Sequence, residues 1–202
     1  MKKSLYINRS SKNYNLSDLY AILKKHYTYI EIYILFVSGL IIGTAITHNS
    51  AFIRTVITNL ISLNDGFLTV FIRNIFVYFS IYLALFISGF SCIGKPFIMC
   101  IPVLSGIFYS ALLTSFIENI PQYGLIFFLL AKLPSAIIFI NTVFIMTEIS
   151  EIMSDRTKIA VFSENNASIQ FKEYIISFFL ILIFGIISAA IDSVISFFIY
   201  RQ

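Results

Sequence analysis

Residues 74–117 read NIFVYFSIYLALFISGFSCIGKPFIMCIPVLSGIFYSALLTSFI, and this stretch decides the fold. Two apolar runs, 74–93 and 96–117, are separated only by Gly94-Lys95-Pro96, and Lys95 is the one charged residue in the whole stretch. A helix crossing the hydrocarbon core needs about 20 mostly apolar residues. Each run is therefore long enough for one crossing. Gly94 accepts positive φ and Pro96 opens the next helix, so the break predicts a tight hairpin.

Three more runs of this kind flank the hairpin, at 28–47, 124–147 and 174–200. Glu118 to Tyr123, with Pro121, joins the third run to the fourth by a short turn. The composition agrees with this count. Of 202 residues 58% are apolar and 12% charged, with mean hydropathy +0.90. A soluble domain is about 45–50% apolar and about 25% charged, and one this small cannot bury such an excess. The expected fold is all-α: one integral membrane domain over residues 1–202, a polytopic helical bundle of about five spans. The first run exceeds the 7–15 apolar residues of a signal peptide, and no cleavage site stands out after it, so it reads as a retained helix.

Basic residues set the orientation. Lys2, Lys3, Arg9, Lys12, Lys24, Lys25, Lys95, Arg156, Lys158 and Lys172 fall on one side, and Arg54, Arg73 and Arg201 on the other. The bias places the N-terminus in the cytoplasm and the C-terminus outside. Residues 1–27 form a basic cytoplasmic segment in which Leu16, Leu19, Tyr20 and Leu23 predict a short amphipathic helix. Phe52, Ile53, Val56, Ile57, Leu60 and Ile61 predict another on the outer side, lying in the leaflet or folded back onto the bundle. The loop from Ser150 to Lys172 has room for one short helix.

Two charges are deep within the spans. At about 1.5 Å per residue, Lys132 lies roughly 12 Å below the outer end of the fourth span, and Asp192 roughly 10–12 Å below that of the fifth. Either charge alone at mid-membrane costs about 2.5–3.5 kcal/mol on insertion scales. Equal depth on antiparallel neighbours predicts an ion pair facing the interior. The same residues also fit a proton or ion relay. Pro134 should kink the fourth span beside Lys132, with the freed carbonyl near residue 130 served by Lys132, Ser135 or a water.

Small residues mark seams where helices approach closely: Gly39 and Gly43, Gly106 and Ser110, Gly185 and Ala189, with Gly89 at the hairpin. These stripes serve packing within the chain or between two copies. Cys92 and Cys100 read as small apolar side chains rather than a disulfide framework. The residues carry no enzyme signature. His26 and His48 flank the first span at opposite ends, Asp192 is the only deep acid, and no phosphate-binding glycine motif occurs. No metal, cofactor or nucleic-acid partner is expected.

Arg73-Asn74, then Gly89-Phe90-Ser91-Cys92-Ile93-Gly94-Lys95-Pro96-Phe97, then Gly106, Gly124 and Leu133-Pro134, form the most individual part of the chain. Over roughly Phe71 to Ser150 this resembles the stage II sporulation protein M family: an asparagine before the second span, a Gly-x-Ser-x-x-Gly-x-Pro hairpin, a glycine-bearing third span and a proline in the fourth. The chain departs from the family pattern at Asn141, where a second proline is usual, and at Ser110 and Ser115, where glycines are. The resemblance implies a non-catalytic subunit of the bacterial cell membrane that anchors and localises peptidoglycan-degrading partners while a mother cell engulfs its forespore. The alternative is a small permease, or the membrane subunit of an export system driven by a separate ATPase, using Lys132, Asp192 and the Pro134 kink.

Overall fold

The computed structural model describes residues 16–50, 66–119, 122–162 and 171–200. They form six helices: α1 (Leu16–Asn49), α2 (Phe67–Gly89), α3 (Gly94–Asn119), α4 (Gly124–Ala131), α5 (Leu133–Phe162) and α6 (Phe171–Tyr200). Five of them are long and apolar enough to cross a membrane, and α4 prefaces the fourth of these. The chain is an all-α polytopic bundle. α2, α3, α5 and α6 share the core, and α1 lies against α3 with a smaller contact to α5.

The distribution of side chains identifies the solvent as lipid. Phe76, Leu68, Ile72, Ile87 and Phe97 are all at least 60% exposed, a density of bare apolar surface that water does not tolerate. Inside, the pattern inverts. Ser105, Ser110, Ser135, Thr142, Thr147, Ser150, Ser188 and Ser193 are buried beside Tyr82, Leu85, Ile98, Phe139, Val143 and Met146. Lipid supplies no hydrophobic drive between helices, so close contact and hydrogen bonding must hold them together.

Close contact is strongest between α1 and α3. A Cβ on Gly39 would land on the Val103 carbonyl oxygen, and one on Gly106 on that of Phe36. A Cβ on Gly43 would sit 2.7 Å from the Ile107 backbone and collide with the Ser110 hydroxyl. The small-residue stripes of the first and third spans therefore face each other within one chain. Gly185 lies under the Tyr82 ring, and Gly89 under the Tyr174 hydroxyl.

Several boundaries differ from those read in the sequence. The predicted short N-terminal helix is continuous with the first span in α1. The second span starts at Phe67 and ends at Gly89, rather than 74–93. Its apolar first turn, Phe67 to Phe71, extends the helix backwards and carries Arg73 and Asn74 inside. The hairpin turn is Phe90 to Ile93, closed by Phe90 N–H to Ile87 O, Ser91 N–H to Ser88 O and Gly94 N–H to Ser91 O bonds. Gly94 already belongs to α3, and no described glycine has a positive φ. Its glycine is required for another reason: a Cβ there would strike the Ser88 carbonyl. Pro96 sits in the first turn of α3, where its missing N–H has no partner to lose. Pro102, inside the same helix, is fully buried.

The loop expected from Ser150 is helical over its first part, through Phe162. α5 continues through Phe162 without a glycine or proline to stop it. The last span begins at Phe171, slightly earlier than 174. The predicted outer helix over Phe52 to Ser62 lies outside the described residues. Cys92 is half-buried, Cys100 is exposed, and both are free thiols.

Candidate functional site

Pro134 organises the site. It cannot donate a backbone hydrogen bond, and its ring crowds the preceding turn. The fourth span is accordingly interrupted at one residue, Lys132, which stays in the right-handed helical region. α4 ends at Ala131, Lys132 adopts φ −106° and ψ −31°, and α5 starts at Leu133 with Pro134 in its first turn. The Lys132 carbonyl accepts from the Ala136 N–H at 2.9 Å and from the Ser135 hydroxyl at 3.0 Å. Ser135 thus serves this carbonyl, not the one freed near residue 130. The break turns the Lys132 side chain inward.

There it meets Asp192 of α6. Lys132 Nζ donates to Asp192 Oδ1 at 2.8 Å and to Oδ2 at 2.9 Å, with Ser196 Oγ at 3.5 Å. The lysine side chain is 14% exposed and the aspartate 4%. From α2, Asn74 Nδ2 donates to Asp192 Oδ2 at 2.6 Å. Both carboxylate oxygens are therefore satisfied, and the α4–α5 joint, α6 and α2 are tied at one point. A buried charge is tolerated when it is paired and hydrogen-bonded in this way.

A cavity of about 40 Å³ adjoins the pair, lined by Arg73, Asn74, Tyr78, Tyr109, Lys132 and Asp192 among others. It has room for a water or two. Beneath it, Tyr78 stacks on Phe139 with ring centroids 4.2 Å apart, and its hydroxyl meets those of Tyr109 and Ser188. Ser188 donates to the Ser135 carbonyl at 2.8 Å, and Tyr82 pairs with Thr142 at 2.6 Å. Deeper still, Leu85, Val143, Met146, Phe178 and Ile181 fill the core.

A second polar cluster closes the opposite end. Lys95 at the start of α3 forms an ion pair with Glu151 on α5. The Ser154 hydroxyl donates to the Ser91 carbonyl at 2.7 Å, and the Tyr174 hydroxyl to that of Phe86 at 2.9 Å. These contacts bind the hairpin turn to α5 and α6. Among the described residues, no three His, Cys, Asp or Glu side chains converge to hold a metal.

The structure brings Lys132 and Asp192 together, and places Gly39, Gly43 and Gly106 in one seam. It adds Asn74 to the charge pair. Asn74 carried a signal, since an amide within a lipid-spanning helix needs a partner. The apolar run begins at Asn74, so the run alone places this residue at the end of the span rather than inside it. Glu151 falls in the mixed-charge stretch after the fourth apolar run, so the sequence alone does not bring it to Lys95. If Asn74 ties α2 to Asp192, Asn74→Leu should lower thermal stability in detergent by about 1.5–3 kcal/mol, the range for a hydrogen bond to a charged group. A melting temperature equal to wild type would show that the contact contributes nothing.

Compared with family models, curated proteins and solved structures, the chain matches none.

Proposed function

We propose that the chain is a non-catalytic scaffold of the bacterial cell membrane that holds peptidoglycan-degrading partners, as its resemblance to the stage II sporulation protein M family implies. The observation that carries the reading is the saturation of Asp192. Both of its carboxylate oxygens accept hydrogen bonds from Lys132 or Asn74, which join three helices, so this buried charge acts as a structural tie. The cavity beside it is far smaller than the roughly 300 Å³ at which small-molecule sites begin. The glycine seam between α1 and α3 adds a second fixed joint. A stiff frame with large lipid-facing surfaces suits a platform.

The test is crosslinking of the tagged protein in sporulating cells, followed by identification of what co-purifies. Peptidoglycan hydrolases should be recovered. Recovery of an ATPase with no hydrolase would overturn the scaffold reading in favour of export.

One feature favours transport as a second reading. A spanning helix broken beside a buried charge is the arrangement in which transporters place their sites, and the break at Lys132 has that form. On this reading, neutralising the pair abolishes flux while the protein still folds.

A further inference from the structure

A second cavity lies far from the charge pair. It is between α5 and α6, at the end that carries Lys95, Arg156, Lys158 and Lys172. It measures about 160 Å³ and is lined by Ile149, Ile152, Met153, Arg156, Tyr174 and Ser177, with Glu173 at its rim. At 30 residues α5 is about 45 Å long, well beyond the roughly 30 Å of hydrocarbon. The turn bearing Arg156 therefore stands at the head-group layer, and the basic bias of this end assigns that layer to the cytoplasmic leaflet.

The lining is divided by chemistry. Ile149, Ile152 and Met153 form an apolar floor. Arg156 offers a fork of donors and is held by a polar contact within the protein. Ser177 is half-buried, and its hydroxyl makes no hydrogen bond within the described residues. Glu173 supplies an acceptor four residues before it on the same helix face. Toward mid-membrane these two faces continue as exposed Ile145 on α5 and exposed Leu180 and Phe184 on α6. A cation, an anion acceptor and an open hydroxyl stand above a strip of apolar side chains. That sequence of groups matches the sequence along a phospholipid.

We propose that this cavity binds one glycerophospholipid of the cytoplasmic leaflet. The phosphate sits against Arg156 and Ser177, the head group's own donor against Glu173, and an acyl chain along Ile145, Leu180 and Phe184. Guanidinium–phosphate pairing is among the stronger charge-assisted contacts, and basic pockets between spanning helices on this side bind lipid head groups. Glu173 gives the site a preference. An ethanolamine ammonium or a glycerol hydroxyl can donate to it, whereas a choline cannot.

The full-length protein is reconstituted in vesicles with equal parts phosphatidylethanolamine, phosphatidylglycerol and phosphatidylcholine. It is then extracted gently, and retained lipid is read by native mass spectrometry. Wild type should retain the first two about tenfold over phosphatidylcholine, the factor that one hydrogen bond to a charged group supplies. Arg156→Gln should lower retention of every lipid about tenfold, because it removes the shared phosphate contact. Glu173→Leu should lower retention of the first two lipids to that of phosphatidylcholine, leave phosphatidylcholine unchanged and so erase the preference. Ser177→Leu, which fills the cavity without changing charge, should also lose bound lipid. Equal retention of all three lipids by wild type would overturn the proposal. So would Arg156→Gln or Ser177→Leu retaining the wild-type complement, which would reduce Arg156 to a surface charge near the membrane.

Discussion

Asp192→Leu and Lys132→Ala should each remove most of the folded protein from the membrane. Either change strands its partner in the bundle interior, and breaking a buried ion pair from one side costs about 3–5 kcal/mol. That is a large part of a typical stability of about 5–15 kcal/mol. The loss is recoverable if the pair is a tie. Lys132→Met with Asp192→Asn removes both charges of the pair and keeps an amide facing Asn74, so accumulation should return close to wild type. Exchanging the two charges should restore it in part, because Asn74 can present its oxygen instead of its amide to the relocated lysine. Quantitative immunoblotting of membrane fractions, with melting temperatures of the purified variants, reads both effects. Equal accumulation of wild type and the single variants would mean that the pair contributes nothing to folding.

Gly106→Leu and Gly39→Leu should be comparably damaging, for a steric reason. The atoms that a new side chain would meet are the backbone carbonyls of Phe36 and Val103, and neither can rotate away. Overpacking usually costs about 1–3 kcal/mol when side chains can adjust; here whole helices must separate. The expected result is a monomer that unfolds at lower temperature or aggregates on extraction, with α1 newly accessible to protease. Gly66→Ala is the control, since a Cβ there meets nothing within 4 Å. If the glycine variants instead turned a wild-type dimer into a stable monomer, the seam would belong between two copies.

The existence of five spans was legible because each apolar run alone exceeds the thickness it must cross. Their ends were not. Apolar composition records where lipid lies, not where a helix stops, so Phe67 to Arg73 was missed ahead of the second span. The mixed charge of Ser150 to Phe162 reads as a loop with room for one short helix, yet nothing in it breaks a helix and α5 runs straight through it. The Lys132–Asp192 pair followed from depth alone, since two opposite charges at one level of neighbouring helices have a strong reason to meet. Asn74 did not follow, because its depth depended on the misplaced start of α2. The glycine stripes announced close approach, but any helix could have filled them. Only the three-dimensional packing assigns Gly39 and Gly43 to α3. Gly94 was singled out correctly and explained wrongly: it makes space for the Ser88 carbonyl rather than permitting a left-handed turn.

The most direct test of the account uses the charge-free variant, Lys132→Met with Asp192→Asn, in sporulating cells. Its recovery of crosslinked partners is measured against wild type at matched membrane levels. A scaffold whose ion pair is a structural tie predicts the same peptidoglycan hydrolases in the same yield. A variant that folds and accumulates normally but recovers no hydrolase, or whose wild-type parent recovers an ATPase in their place, would contradict it.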